Sequence, residues 1–417
     1  MSLTPPERSE VIAWGVAECG TVFLLFLFVL VERLKAEKVF AVRSKSDKSA
    51  FHLLGAWTGV CVASAGIGIL RGNQWDYVLG DFYRFASLAI VLTLMYFAVK
   101  DSTWANRLLY GFVGVYGFMV ALDLLRFNSY VYEGEERLTT ETAHQAGLIA
   151  TAVIFLILFD SRRWVRRSSI ALLLLMLILM LRAQMLTPII TSLVALGLFF
   201  CFNRKFPLFL ACGAVGVVFM AASFYFWTGA AREPSYIEEK FQNAQDKEGP
   251  FESLEALSGV RLGEIISIGE EIGTNPSNWL CGVGSGGLLT PDPILPVARF
   301  EVDKHYIHAG LFEILYRTGI IGVGSILLFL LQLFRRARRL YSGGDPFGLF
   351  VMVALIVAVM LLVYDLPFES AVPMIGFCFC GISSMECRRN RALKAVRSEN
   401  LTHFHVGMTL AAGQKIL

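Results

Sequence analysis

The chain is a succession of long apolar runs broken by short polar intervals. A membrane-crossing helix needs roughly 20 mostly apolar residues. By that measure about eleven runs qualify, near 11–32, 51–70, 84–99, 108–125, 143–160, 168–183, 186–203, 206–228, 311–334, 346–364 and 367–386. The runs at 168–183 and 186–203 almost touch, with Arg182 at their junction. One interval, 229–308, is too long to be a connector. Within it, Ser235–Gln245 follows Pro234, and Leu254–Ile272 sets Leu257, Val260, Ile265, Ile268 and Ile272 near one helical face. The pattern predicts an all-α fold, a polytopic transmembrane helix bundle of about 11–12 spans with one large, mainly helical loop domain. The expected division is N-terminal spans over 1–228, the loop domain over 229–308, C-terminal spans over 309–386 and a partly disordered tail over 387–417.

Composition sharpens this. With 55% hydrophobic and only 17% charged residues, and a mean hydropathy of +0.59, the chain lacks the charged shell that a soluble enzyme of this size needs. The start, with Glu7, Arg8 and Glu10 ahead of the first apolar run, lacks a signal peptide's basic region and cleavage site, so the first run is expected to be a retained span. The eight cysteines show no disulfide framework and no paired metal-ligand spacing, and most lie in apolar runs as small packers.

Charge parity then orients the chain. Arg33, Lys35, Lys38, Arg43, Lys45 and Lys48 follow the first run. Arg162, Arg163, Arg166 and Arg167, then Arg204 and Lys205, then Arg335, Arg336, Arg338 and Arg339, and finally Arg388, Arg389 and Arg391 fall on the same side when every run spans. That side is expected to be cytoplasmic and to hold the C-terminus. The 229–308 loop, with thirteen acidic and six basic residues, falls on the outer side. Glu18, Arg84 and Asp123 are charges close to apolar runs, each near a predicted end.

Candidate chemistry clusters at that outer side. His305 and His308 stand at the mouth of the ninth run, in Lys304-His305-Tyr306-Ile307-His308-Ala309-Gly310. Histidine is the side chain suited to moving protons near neutral pH, and it also serves as an interfacial anchor. Arg261, on the second loop helix, either pairs with Glu264 or Glu255 or grips a phosphate with its guanidinium fork. The run Gly282-Val283-Gly284-Ser285-Gly286-Gly287 lets backbone amides approach an anion, but it lacks the lysine and strand–helix context of a nucleotide-binding loop, so a plain turn is the default. Arg182 is either a snorkelling anchor or part of a site facing protein or water. Arg232 opens the loop, and Asp365 and Glu369 flank Pro367 in the last outer turn.

In this order the positions resemble the O-antigen ligase and O-antigen polymerase superfamily of bacterial envelope proteins. That pattern has an arginine at the outer end of a mid-chain helix, a large periplasmic loop with an arginine-bearing helix, an apolar residue with a Gly-x-Gly turn, and a closing histidine that opens a helix running to two glycines. Arg182, Arg261, Leu280-Cys281-Gly282-Val283-Gly284 and His308 with Gly319 and Gly322 match over about residues 180–330. Ala309 stands where asparagine is usual, and Leu181 where serine is common.

The resemblance implies a protein of the bacterial inner membrane that moves a glycan from an undecaprenyl pyrophosphate carrier to an acceptor hydroxyl. The acceptor is lipid A-core in a ligase and another lipid-linked repeat unit in a polymerase. It implies His308 as catalytic base, with His305 a secondary candidate. Arg182, Arg261 and Arg232 would hold the pyrophosphate, and Gly282 and Gly284 would form the loop turn. No metal, cofactor or nucleic acid is implied; the partners are the lipid-linked glycan, the acceptor and the bilayer. A transporter of a lipid-linked or anionic substrate is the alternative, favoured by charges buried inside spans. A non-catalytic envelope scaffold is a third reading.

Overall fold

Short, well-capped turns decide which helices pack as neighbours. The computed structural model describes residues 45–98, 102–130, 141–182, 186–202, 261–289, 307, 309–364 and 368–413. These residues carry α1 (Lys45–Leu70), α2 (Trp75–Ala98), α3 (Ser102–Tyr130), α4 (Glu141–Phe159), α5 (Arg163–Arg182), α6 (Leu186–Phe202), α7 (Arg261–Gly273), α8 (Pro276–Cys281), α9 (Gly310–Ser342), α10 (Pro346–Tyr364) and α11 (Phe368–Gly413). No strand occurs among them, so the all-α expectation holds over the described residues.

Each tight turn has a chemical cause. Gly72 ends α1 at φ 78°, and its amide donates to the Ile69 carbonyl at 3.0 Å, which turns the chain into α2. Between α9 and α10, the Asp345 carboxylate accepts from the Phe347 amide at 2.9 Å, with Pro346 in the first helical position, where its missing N–H matters least. Asn275 and Pro276 repeat that device at the start of α8.

Apolar packing holds the bundle. Phe51, Tyr96, Phe97, Phe329 and Phe379 form an aromatic layer joining α1, α2, α9 and α11, with ring centroids such as Phe51–Tyr96 at 5.0 Å edge to face. Small residues allow close approach of helices. A methyl group on Gly348 of α10 would land on the Ala337 carbonyl of α9, and one on Gly147 of α4 would land on Thr191 of α6.

Four described helices are long and apolar enough to cross a membrane, over Ser46–Leu70, Trp75–Phe97, Gly310–Ser342 and Pro346–Val363. Three shorter apolar helices lie at Asn106–Leu122, Gln145–Phe159 and Thr187–Phe202. The protein is therefore read as a membrane protein. The expected spans at 11–32 and 206–228 and the loop segments 229–260 and 290–306 lie outside the described residues.

The helices also correct the expected boundaries. α2 starts at Trp75, not near residue 84, which puts Arg84 well inside it. α11 runs unbroken past Arg388 to Gly413, where a partly disordered tail was expected. The two nearly touching runs are separate helices, α5 and α6.

Helices α1 and α9 are antiparallel. At one end Asp47 of α1 accepts from Arg336 of α9 at 2.7 Å, and Arg336 also donates to Glu386 of α11 at 2.7 Å. The exposed residues Lys48, Arg335, Arg338, Arg339, Arg388 and Arg389 gather at that end. At the other end Ser64 of α1 donates to the Arg317 carbonyl of α9 at 2.9 Å, and there the α7–α8 segment docks.

Candidate functional site

The Gly-rich turn leaves α8 and enters a slot between α1, α2 and α9. Glycines line both sides of the contact. A methyl group on Gly282 would land on the Arg317 carbonyl, and one on Gly319 would land on the Leu280 carbonyl. Gly282 and Gly319 sit at φ 75° and 65°, the left-handed region that side chains disfavour. Gly319 breaks the helical path inside α9, at φ 65° and ψ −167°, and so makes room for the turn.

Every amide from residue 282 to 286 is spoken for. Gly282 donates to the Asn278 carbonyl at 2.8 Å, Val283 to the Tyr316 carbonyl at 2.7 Å, Gly284 to the Arg317 carbonyl at 3.1 Å and Ser285 to the Ser64 carbonyl at 3.0 Å. The Gly286 amide donates to the Asp81 carboxylate at 2.7 Å. Gly282 and Gly284 lie in this segment at φ 75° and 91°, but an anion cradle needs free amides. The turn is a buried plug instead.

Polar side chains from α1, the α1–α2 turn, α7 and α9 weld the plug in place. Arg71 donates to the Val283 carbonyl at 3.1 Å and to the Asn278 side chain at 2.7 Å. Asn73 donates to the Ser285 carbonyl at 2.8 Å, and the Ser64 and Ser285 hydroxyls lie 3.0 Å apart. The Tyr316 hydroxyl lies 2.7 Å from the Glu271 carboxylate and 2.8 Å from the Leu288 carbonyl. Arg317 Nη1 donates to the Gly287 carbonyl.

A chain of alternating charges runs behind the turn. Arg84 grips Glu313 with two hydrogen bonds, at 2.8 and 3.0 Å, and lies 3.7 Å from Asp81. Asp81 meets Arg317 Nε at 3.0 Å. Asp81, Glu313 and Arg317 are fully buried. Two acids and two bases sum to zero, and mutual pairing lets such groups lie inside a membrane bundle. The expectation that Arg84 lies at a span end is corrected: it is an interior ion-pair partner.

The remaining candidates fall as follows. Arg182 closes α5, which packs on α3, α4 and α6, and Arg261 opens α7, which packs on α8 and α9. The positions of those two side chains, and residues Arg232, His305 and His308, lie outside what is described. Ile307 and Ala309, on either side of His308, are both buried, and α9 begins at Gly310. On α7, Glu264, Ile268 and Ile272 are buried, while Ile265 is half-buried. Asp365 falls outside the described residues, and Glu369 lies in the first turn of α11. Among the described residues no three metal-binding side chains converge.

Sequence reasoning passed over Ser64, Arg71, Asn73, Asp81, Glu313 and Arg317. A signal for part of this set was present. Asp81 and Arg84 stand three residues apart, and Glu313 and Arg317 four apart, each an opposite-charge pair on one helical face beside an apolar run. No protein-family model matches the chain, and no curated protein matches it.

Proposed function

We propose that this protein is an integral membrane glycan transferase of the O-antigen ligase or polymerase type, set in the bacterial inner membrane with the 229–308 loop on the periplasmic side and the C-terminus in the cytoplasm. One observation carries the reading. Two distant motif elements, Leu280–Gly284 and Gly319, pack backbone to backbone, and Gly319 lies within α9, the helix that His308 precedes. The gathering of arginines at the opposite end of the bundle supports the orientation.

In the proposed reaction the acceptor hydroxyl oxygen attacks the anomeric carbon of the carrier-linked glycan. The bond from that carbon to the pyrophosphate oxygen breaks, and the electron pair leaves with the pyrophosphate. His308 takes the hydroxyl proton. Arg182 and Arg261, with Arg232, offset the charge developing on the leaving group. Displacement at one face inverts the anomeric centre.

Gel electrophoresis of surface glycan from a deletion strain tests the proposal. Loss of a polymerase leaves single repeat units attached, and loss of a ligase leaves polymer unattached to lipid. An unchanged ladder overturns both.

The buried charges of α2 and α9 favour a second reading, a transporter. Proteoliposome uptake of lipid-linked glycan, lost on Glu313→Gln with glycan joining intact, would select it.

A further inference from the structure

We propose that α8 and the Gly-rich turn form a re-entrant element of the membrane, with Trp279, Leu280 and Cys281 facing lipid. The proposal does not depend on glycan transfer.

Three independent observations converge on it. The first is polarity. Between Glu271 and Asp292 no side chain carries a formal charge. The exposed side chains there change from Thr274, Asn275 and Ser277 to Trp279, Leu280 and Cys281. That is the order from a polar rim, through an interfacial aromatic, into hydrocarbon.

The second is continuity of surface. The Leu280 carbonyl abuts Gly319, and Ile320 and Ile321 follow it on α9, 54% and 51% exposed. Leu280 itself is 56% exposed. Leu327, Leu328 and Leu331 continue the exposed apolar surface down α9. These residues are exposed on a helix long and apolar enough to cross a membrane, so lipid is the medium that covers them. Leu280 extends the same surface onto α8.

The third is depth. Gly319 precedes Arg335, where the basic end of α9 begins, by sixteen residues. At 1.5 Å rise per residue that is about 24 Å. A hydrocarbon core is about 30 Å thick, so the turn lies inside its outer edge. Non-helical backbone at such a depth is tolerated only when protein satisfies its hydrogen bonds. The amides of residues 282–286 are all bonded within the protein, and Asp81 is the acceptor for one of them.

Spin labels at single cysteines test this in the full-length protein. Residues 270, 274, 280, 281 and 320 are labelled in turn in an otherwise cysteine-free chain, reconstituted in phosphatidylethanolamine–phosphatidylglycerol vesicles. Collision with oxygen, which partitions into lipid, is compared with collision with a water-soluble nickel chelate. Positions 280 and 281 are expected to match 320, with oxygen dominant, while 270 and 274 favour the chelate. Chelate access at 280 equal to that at 270 overturns the proposal, and so does exclusion of both reagents. A second measurement keeps all native cysteines. Trp279 is one of seven tryptophans. Trp279→Phe should remove part of the fluorescence quenched by bromine-labelled phospholipid; an unchanged quenched share overturns the proposal.

Discussion

Arg84 and Glu313 face each other from α2 and α9 as a two-pronged pair, at 2.8 and 3.0 Å, with the Glu313 side chain wholly buried. The pair fixes α9 one turn beyond its first residue, Gly310. It therefore determines where that helix begins relative to the bundle. Removing one partner strands the other, which in buried pairs costs about 3–5 kcal/mol. Arg84→Ala and Glu313→Gln are expected to lower the thermal unfolding midpoint of detergent-solubilised protein strongly. Arg84→Met with Glu313→Leu should recover most of the loss, because neither charge is then left alone. Equal loss in the double variant would show that the pair itself is not the source.

The glycine contact makes a contrasting set of substitutions. Gly282→Ala and Gly319→Ala each put a methyl group into opposing backbone at a left-handed φ. Both should expel the turn, raising hydrogen exchange across residues 282–287. Gly324 lies in the same helix as Gly319 with open space around it. Gly324→Ala should leave exchange unchanged and stabilise the helix by about 0.5–1 kcal/mol, the usual gain over glycine in a helix interior.

Asp160, in the turn between α4 and α5, gives a pH dependence. Burial alone would raise its carboxyl pKa, but the hydrogen bonds from the Tyr110 hydroxyl and the Arg162 amide and the Arg162 charge outweigh it, and the net shift is downward. The Tyr110 bond is 2.5 Å and the Arg162 amide bond 2.8 Å. A lowered pKa stabilises the folded state at every pH above the unfolded value of about 3.9, and that contribution fades as pH falls through the folded value. The unfolding midpoint of the wild type should drop more between pH 6 and acid, about pH 3, than that of Asp160→Asn. Parallel curves would exclude Asp160 as a stabilising group.

Activity separates the proposed roles. A general base contributes about 10²–10⁴-fold, so His308→Ala should lose transfer to lipid-linked acceptor on that order. His305→Ala should lose far less. Arg261→Lys keeps the charge and loses the fork, and is expected to impair transfer as well. Full activity of His308→Ala in membranes would remove the catalytic role.

The sequence by itself determined the class of the protein and much of its helical framework. Apolar runs about 20 residues long have few folds open to them in a bilayer, because the helix is the structure that satisfies its own backbone. α10 matches its predicted run at both ends, 346–364, because Asp345 and Pro346 announce its start in local chemistry. The turn at Gly282 and Gly284 was legible for the same reason. What the turn is for was not. Whether its amides are free or used depends on Ser64, Asp81, Tyr316 and Arg317, which lie far away along the chain. The pairing of Arg84 with Glu313 crosses 229 positions. Periodicity speaks only for neighbours within a helix, so such partners appear only when packing brings α1, α2 and α9 together around the turn.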